Sequence, residues 1–154
     1  MIITYKIPSG IMRINADEFF RLARKSAIRR MFKQLRQDDK AAGEYTPQIR
    51  EYLEEWEQKA HDEIARLYGK QVDAETLYRE VKTRYEEMQS PCYARFTRDE
   101  KVLAAARGIV RDAKSEVSYI KRGITEAQKM EKRYKEIQED VVKILEGGRN
   151  GKQS

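Results

Sequence analysis

Seven basic side chains and no acidic one lie between Arg21 and Arg36: Arg21, Arg24, Lys25, Arg29, Arg30, Lys33 and Arg36. Cations at this density bind phosphate, an anionic membrane or an acidic protein surface. The stretch also repeats its apolar residues with a helical period. On a wheel of about 100° per residue, Phe20, Ala23, Ala27, Met31 and Leu35 form one face, widened by Phe19 and Ile28. Arg21, Lys25, Arg29, Lys33 and Arg36 fall opposite within an arc of about 120°. Steps of four residues advance about 6 Å along a helix, a spacing comparable with that of phosphates along a strand. Five phosphate contacts on duplex DNA would make log affinity fall against log salt with a slope of about −4 to −5. Phe32 and Leu22 lie in or beside this arc as possible stacking or wedge groups.

Arginine supplies five of the seven charges, and guanidinium suits bidentate phosphate contacts, which favours nucleic acid over a membrane surface. A membrane-lying helix would carry bulky apolar residues throughout its buried face. The competing account is a solvated face, or one neutralised by the glutamates of the following helix. Arg24, beside Phe20, Ala27 and Met31, is expected to pair with a glutamate of a neighbouring helix. An opposite surface, Glu51, Glu54, Glu55, Glu57, Asp62 and Glu63, could mimic phosphates and occupy a basic cleft. Arg50, Lys59 and Arg66 interrupt it as on any solvated helix.

The remaining residue types supply no recognisable catalytic or metal site. His61 is the single histidine and Cys92 the single cysteine, so neither a metal-binding HExxH pair nor an ordinary zinc set can form within one chain. A Cys92–His61 nucleophile would need a third group and a shaped pocket. Tyr52, Tyr68, Tyr78, Tyr85, Tyr119 and Tyr134 suit the edges of helical seams, with the ring buried and the hydroxyl wet. Trp56 reads as a core residue or a helical anchor. No glycine-rich phosphate loop occurs, no cofactor is called for, and no carboxylate pair stands out as acid and base.

The elements that must position the basic arc follow from composition and punctuation. The chain has 154 residues, 38% of them charged, a net charge of +6, and only three prolines. Its mean hydropathy is −0.87. Apolar residues recurring at regular spacing in such a polar chain indicate long helices rather than disorder. Residues 1–40 carry +6, residues 41–90 carry −5 and residues 91–154 carry +5, so the helices are expected to pack with complementary charge. No apolar run is long enough to cross a bilayer, the N-terminal residues do not resemble a secretory signal, and a lone cysteine fits a reducing compartment. A cytoplasmic protein is expected.

Residues 1–14 read as a β-hairpin turning at Pro8-Ser9-Gly10, with Cys92–Phe96 as a possible third strand. Asn15 and Glu18 form a capping box for a helix over 15–39. Thr46 and Pro47 open a second helix over 47–68, with Ile49, Leu53, Trp56, Ala60, Ile64 and Leu67 inward and Gly69 ending it. Asp73 caps a third over 74–89, with Ala74, Leu77, Val81, Tyr85 and Met88 inward. Thr97 and Glu100 begin a last helix over 98–146, followed by a flexible tail over 147–154. Leu103, Ala106, Val110, Ala113, Val117, Ile120, Ile124 and Ala127 keep a heptad rhythm, which then shifts by three residues to Met130, Tyr134, Ile137, Val141 and Ile144. Gly123 marks a possible break, but the apolar phase runs through it and favours one continuous helix. Leu103, Val110, Val117 and Ile120 are expected to pack against the first three helices.

The fold expected is therefore mainly α: a single domain over 1–146, an antiparallel helical bundle or coiled coil with one long C-terminal helix and a small N-terminal β-hairpin. Three functions suit it. The first is a non-enzymatic protein binding nucleic acid or a nucleoprotein through Arg21, Lys25, Arg29, Lys33 and Arg36. The second is a protein-binding adaptor, or an inhibitor of a nucleic-acid enzyme of the kind viruses and mobile elements carry. The third is a coiled-coil structural protein that forms homo-oligomers.

Overall fold

The computed structural model describes residues 1–90 and 99–153, with side chains described as far as residue 146. The expected third strand at Cys92–Phe96 and the cap at Thr97 lie outside the described residues. The elements run β1 (Ile2–Ile7), β2 (Gly10–Asn15), α1 (Ala16–Leu22), α2 (Lys25–Gln37), α3 (Asp39–Met88) and α4 (Glu100–Gln153). The protein is a mainly helical antiparallel bundle with an N-terminal β-hairpin.

The described residues cluster into two compact units, Met1–Ala60 with Lys129–Ser154, and His61–Gln128. The sequence reads as one domain because α3 and α4 run without interruption from one unit into the other. The hairpin, α1 and α2 all belong to the first unit.

In the first unit β1 and β2 pair antiparallel, with Ile3 opposite Ile14 and Ile7 opposite Gly10. Gly10 has φ +145°, a region that L side chains rarely enter, which explains the glycine after Pro8-Ser9. Alternation along β1 buries Ile3 and Tyr5. The Tyr5 hydroxyl donates to Gln34 Oε1 at 3.0 Å, tying β1 to α2. Burial pushes that phenol above its ordinary range. Around the hairpin, Phe20, Ile28, Phe32, Leu35, Ile49, Leu53, Ile137 and Val141 complete an apolar core. Phe20 lies 5.9 Å from Phe32, nearly parallel to it, and 5.9 Å from Tyr52. Trp56 stacks on Tyr134 at 6.0 Å.

Three helix boundaries differ from the sequence expectation. The helix expected over 15–39 is broken at Ala23-Arg24, both extended. The helices expected over 47–68 and 74–89 are one helix that begins eight residues before Pro47. Asp38 explains the early start. Its Oδ1 accepts the Ala41 amide at 3.2 Å and its Oδ2 accepts the Lys6 amide at 2.9 Å, so one carboxylate caps α3 and fastens β1. Pro47 cannot donate to the carbonyl of Gly43, but both residues are exposed, so water can take the freed carbonyl. Gly69 passes through the helix with ordinary dihedrals. At the other end, α4 runs on through Gly147 and Gly148 to Gln153, where the sequence predicts a tail; glycine accepts helical dihedrals too.

In the second unit α3 and α4 lie antiparallel, with the Tyr68 hydroxyl accepting from Gln128 at 3.1 Å and Lys121 3.8 Å from Glu75. Their seam buries Ala113, Val117, Ile120 and Ile124. The helix is continuous through Gly123, where an added Cβ would meet Leu67 at an ordinary 3.7 Å. Val117 and Ile120, expected to pack against the first three helices, share a unit with α3 but not with α1 or α2. Two helices bury only one seam, so Leu103 and Val110 are half-buried, and Leu77, expected inward, is 53% exposed.

Two tests follow from this packing. Val117→Asp should cost on the order of 3 kcal/mol by placing an unpaired carboxylate in the seam, whereas Gly123→Ala should add about 0.5–1 kcal/mol. Denaturant unfolding followed by circular dichroism reads both, and an unchanged midpoint for Val117→Asp would refute the seam. The Lys6 and Ala41 amides hold the Asp38 carboxyl below the ordinary carboxylate value of 3.8. A depressed folded pKa contributes stability that is present above the unfolded value and lost as pH falls through the folded one. Asp38→Asn should therefore flatten the acid side of the stability profile, measured as melting temperature between about pH 2 and 5.

Candidate nucleic-acid interface

A helical wheel drawn through residues 15–39 assumes a continuous helix, and the break at Ala23-Arg24 invalidates it. In an unbroken helix the carbonyls of Phe20 and Ala23 would accept the amides of Arg24 and Ala27. Instead Arg133 of α4 donates from Nε to Phe20 O at 2.8 Å and from Nη2 to Ala23 O. The Ala27 and Ile28 amides turn to Arg24 O, at 3.0 and 3.1 Å, which starts α2 afresh. A cation at the carbonyl end of α1 is also favoured by the helix dipole.

At the opposite end of α1, Asn15 caps by accepting the Asp17 amide at 3.1 Å. The Asp17 carboxylate accepts the Tyr52 hydroxyl. Burial first, and then this carboxylate, push the Tyr52 phenol well above its usual range.

The restart changes which side of α2 faces the core. Ile28, Met31, Phe32 and Leu35 are buried. Phe32, which the continuous wheel places beside the basic arc as a stacking group, is 0% exposed, while Leu22 is 72% exposed. The five candidate cations divide accordingly. Lys25 forms an ion pair with Glu136. Arg29 Nε lies 2.9 Å from Asp140 Oδ2. Arg36 Nη1 donates to the carbonyl of Ile144 at 2.9 Å. These three attach α2 alongside α4, at positions one turn apart on α4. Arg21 and Lys33 are exposed and, among the described residues, form no ion pair.

Carboxylates of α4, rather than the acidic stretch of α3, thus neutralise two cations of the basic helix, Lys25 and Arg29. In that acidic stretch Glu55 pairs with Lys59 at 3.4 Å and Glu54 accepts from Gln138 at 3.3 Å. Glu63 accepts Arg66 Nε at 2.8 Å, which holds its carboxyl below the ordinary range. The neighbours of Arg24 differ as well: it is exposed and, among the described residues, joins no ion pair.

The outward stripe of α2 is Ser26, Arg30, Lys33 and Gln37, at spacings of four, three and four residues, and all four are exposed. The continuous wheel places Arg30 outside the basic arc, at the edge of the apolar face. Only the position of the break returns it to the surface. Arg21 and Arg24, exposed on either side of the break, add donors of the kind suited to phosphate oxygens. Among the described residues no group of three or more His, Cys, Asp or Glu side chains is placed to hold a metal ion. His61 is exposed on α3, and Cys92 lies outside the described residues.

Arg133→Met should leave the two carbonyls without their charged donor and destabilise the protein by about 2 kcal/mol. Lys25→Met, losing one exposed ion pair, should cost under about 1 kcal/mol. Denaturant midpoints compare the two, and equal losses would refute the assigned role of Arg133. The chain matches no protein-family profile, no curated protein and no solved structure.

Proposed function

We propose that this protein is a non-enzymatic binding protein that contacts nucleic acid, or a nucleoprotein, through exposed cations of α1 and α2. The observation that carries this reading is the group Arg21, Arg24, Arg30 and Lys33, exposed and outside every ion pair formed among the described residues. Cations already paired with carboxylates contribute less, because a phosphate must displace the resident partner. Lys25 and Arg29, each paired with a carboxylate, and Arg36, donating to the Ile144 carbonyl, are therefore assigned to holding α2 in place, and the binding group becomes Arg21, Arg24, Arg30 and Lys33.

A second reading, an adaptor or inhibitor that binds another protein, draws on a different observation. The second unit exposes large apolar side chains, with Val72 at 61%, Ile109 at 55% and Tyr119 at 70%.

About four phosphate contacts predict a slope near −3 to −4 for log affinity against log salt on duplex DNA. The triple variant Arg24→Glu, Arg30→Glu, Lys33→Glu should lose binding at moderate salt and flatten the slope by about three. Fluorescence anisotropy on DNA and RNA duplexes measures it, with circular dichroism confirming the fold. Unchanged affinity in that variant would sink the reading, and a protein partner retained after nuclease treatment would favour the second.

A further inference from the structure

The seam of the second unit has two flanks of different character. On one, polar side chains bridge α3 and α4: Tyr68 to Gln128 at 3.1 Å, Glu75 to Lys121 at 3.8 Å, and Tyr85 to Arg107 at 3.0 Å. These α4 residues, with Lys114, repeat every seven positions and so occupy one side of the helix. The other side, also at intervals of seven, reads Val102, Ile109, Glu116 and Gly123, and the facing positions of α3 read Lys70, Leu77 and Arg84. Leu77 is 53%, Val102 42% and Ile109 55% exposed. Beside Gly123, where no side chain fills the space, an open groove of about 500 Å³ runs between Leu67 and Ile120.

We propose that this open flank pairs with the same flank of a second copy of the chain, four helices closing one core. The size suits a stable contact. Residues 61–88 span about 42 Å, and two helices side by side present about 20 Å of width, close to the ~800 Å² that each partner contributes to a standard interface.

Register offers a second copy matched contacts at two heights, although it also sets Glu116 level with the partner's Glu80. The Glu75–Lys121 contact sets the heights: two residues on, Leu77 is level with Tyr119, and seven further, Arg84 is level with Asp112. A two-fold axis along the helices lays each α3 over the α4 of the other copy at the same height. Leu77 then meets the partner's Tyr119, and Arg84 meets the partner's Asp112. Symmetry forms every such contact twice.

Sedimentation of the nuclease-treated full chain tests this. The wild type is expected to pass from monomer to dimer as concentration rises to about 200 µM. Leu77→Glu and Ile109→Glu, at exposed positions, should yield a monomer with unchanged circular dichroism. Arg84→Glu and Asp112→Arg should each weaken the dimer at least about tenfold, and together restore it to within about threefold of the wild type. A wild type that remains monomeric throughout, or a dimer indifferent to Leu77→Glu and to both charge reversals, would overturn the proposal.

Discussion

Arg133 takes two carbonyls that an unbroken helix would reserve for its own amides, and the arrangement of the first unit depends on that exchange. A planar guanidinium with several donors can reach Phe20 O and Ala23 O at once, which a point-charge ammonium could not do with the same geometry. Once those carbonyls are taken, the chain leaves α1 at Ala23 and starts α2 at Lys25 in a new rotational phase. The new phase turns Phe32 into the core against Phe20 and carries Lys25, Arg29 and Arg36 to the side of α4. A single side chain more than a hundred positions away therefore decides which cations are structural and which reach solvent.

The two units solve the burial problem differently. In the first, two short helices and a hairpin cover the ends of α3 and α4, so that Phe20, Phe32, Ile49, Leu53 and Val141 lose all their exposure. In the second, two helices share one seam, and side chains just off its axis remain in water. The charges differ too. The first unit carries +5 of the net +6, which is why the phosphate-binding proposal rests there, while the second is nearly neutral and offers apolar side chains instead.

Much of this was legible in the residues. The turn at Pro8-Ser9-Gly10, the cap at Asn15, and the unbroken apolar phase through Gly123 were each read from local signals, and each corresponds to an observed feature. Local signals misled where two of them competed. Thr46-Pro47 is a good helix start, yet Asp38 is a better one because its carboxylate also serves Lys6 from another element. Gly69 and Asp73 resemble a stop and a start, but the cost of about 1 kcal/mol for a glycine in a helix is easily met when its neighbours pack. The candidate cations were legible as a group but not individually, since their wheel was drawn through a break that no residue between Leu22 and Lys25 announces.

By itself the sequence determined the helical class, the hairpin, the long antiparallel pairing and the concentration of positive charge near the N-terminus. These follow from periodicity, capping chemistry and charge, which act over a few residues. Only the tertiary structure decided where the first helix breaks, that Arg30 faces outward while Arg29 pairs with Asp140, and that Leu77 is left half in water. Those outcomes depend on donors and apolar surfaces brought by distant segments, and short-range patterns carry no record of which distant group will arrive.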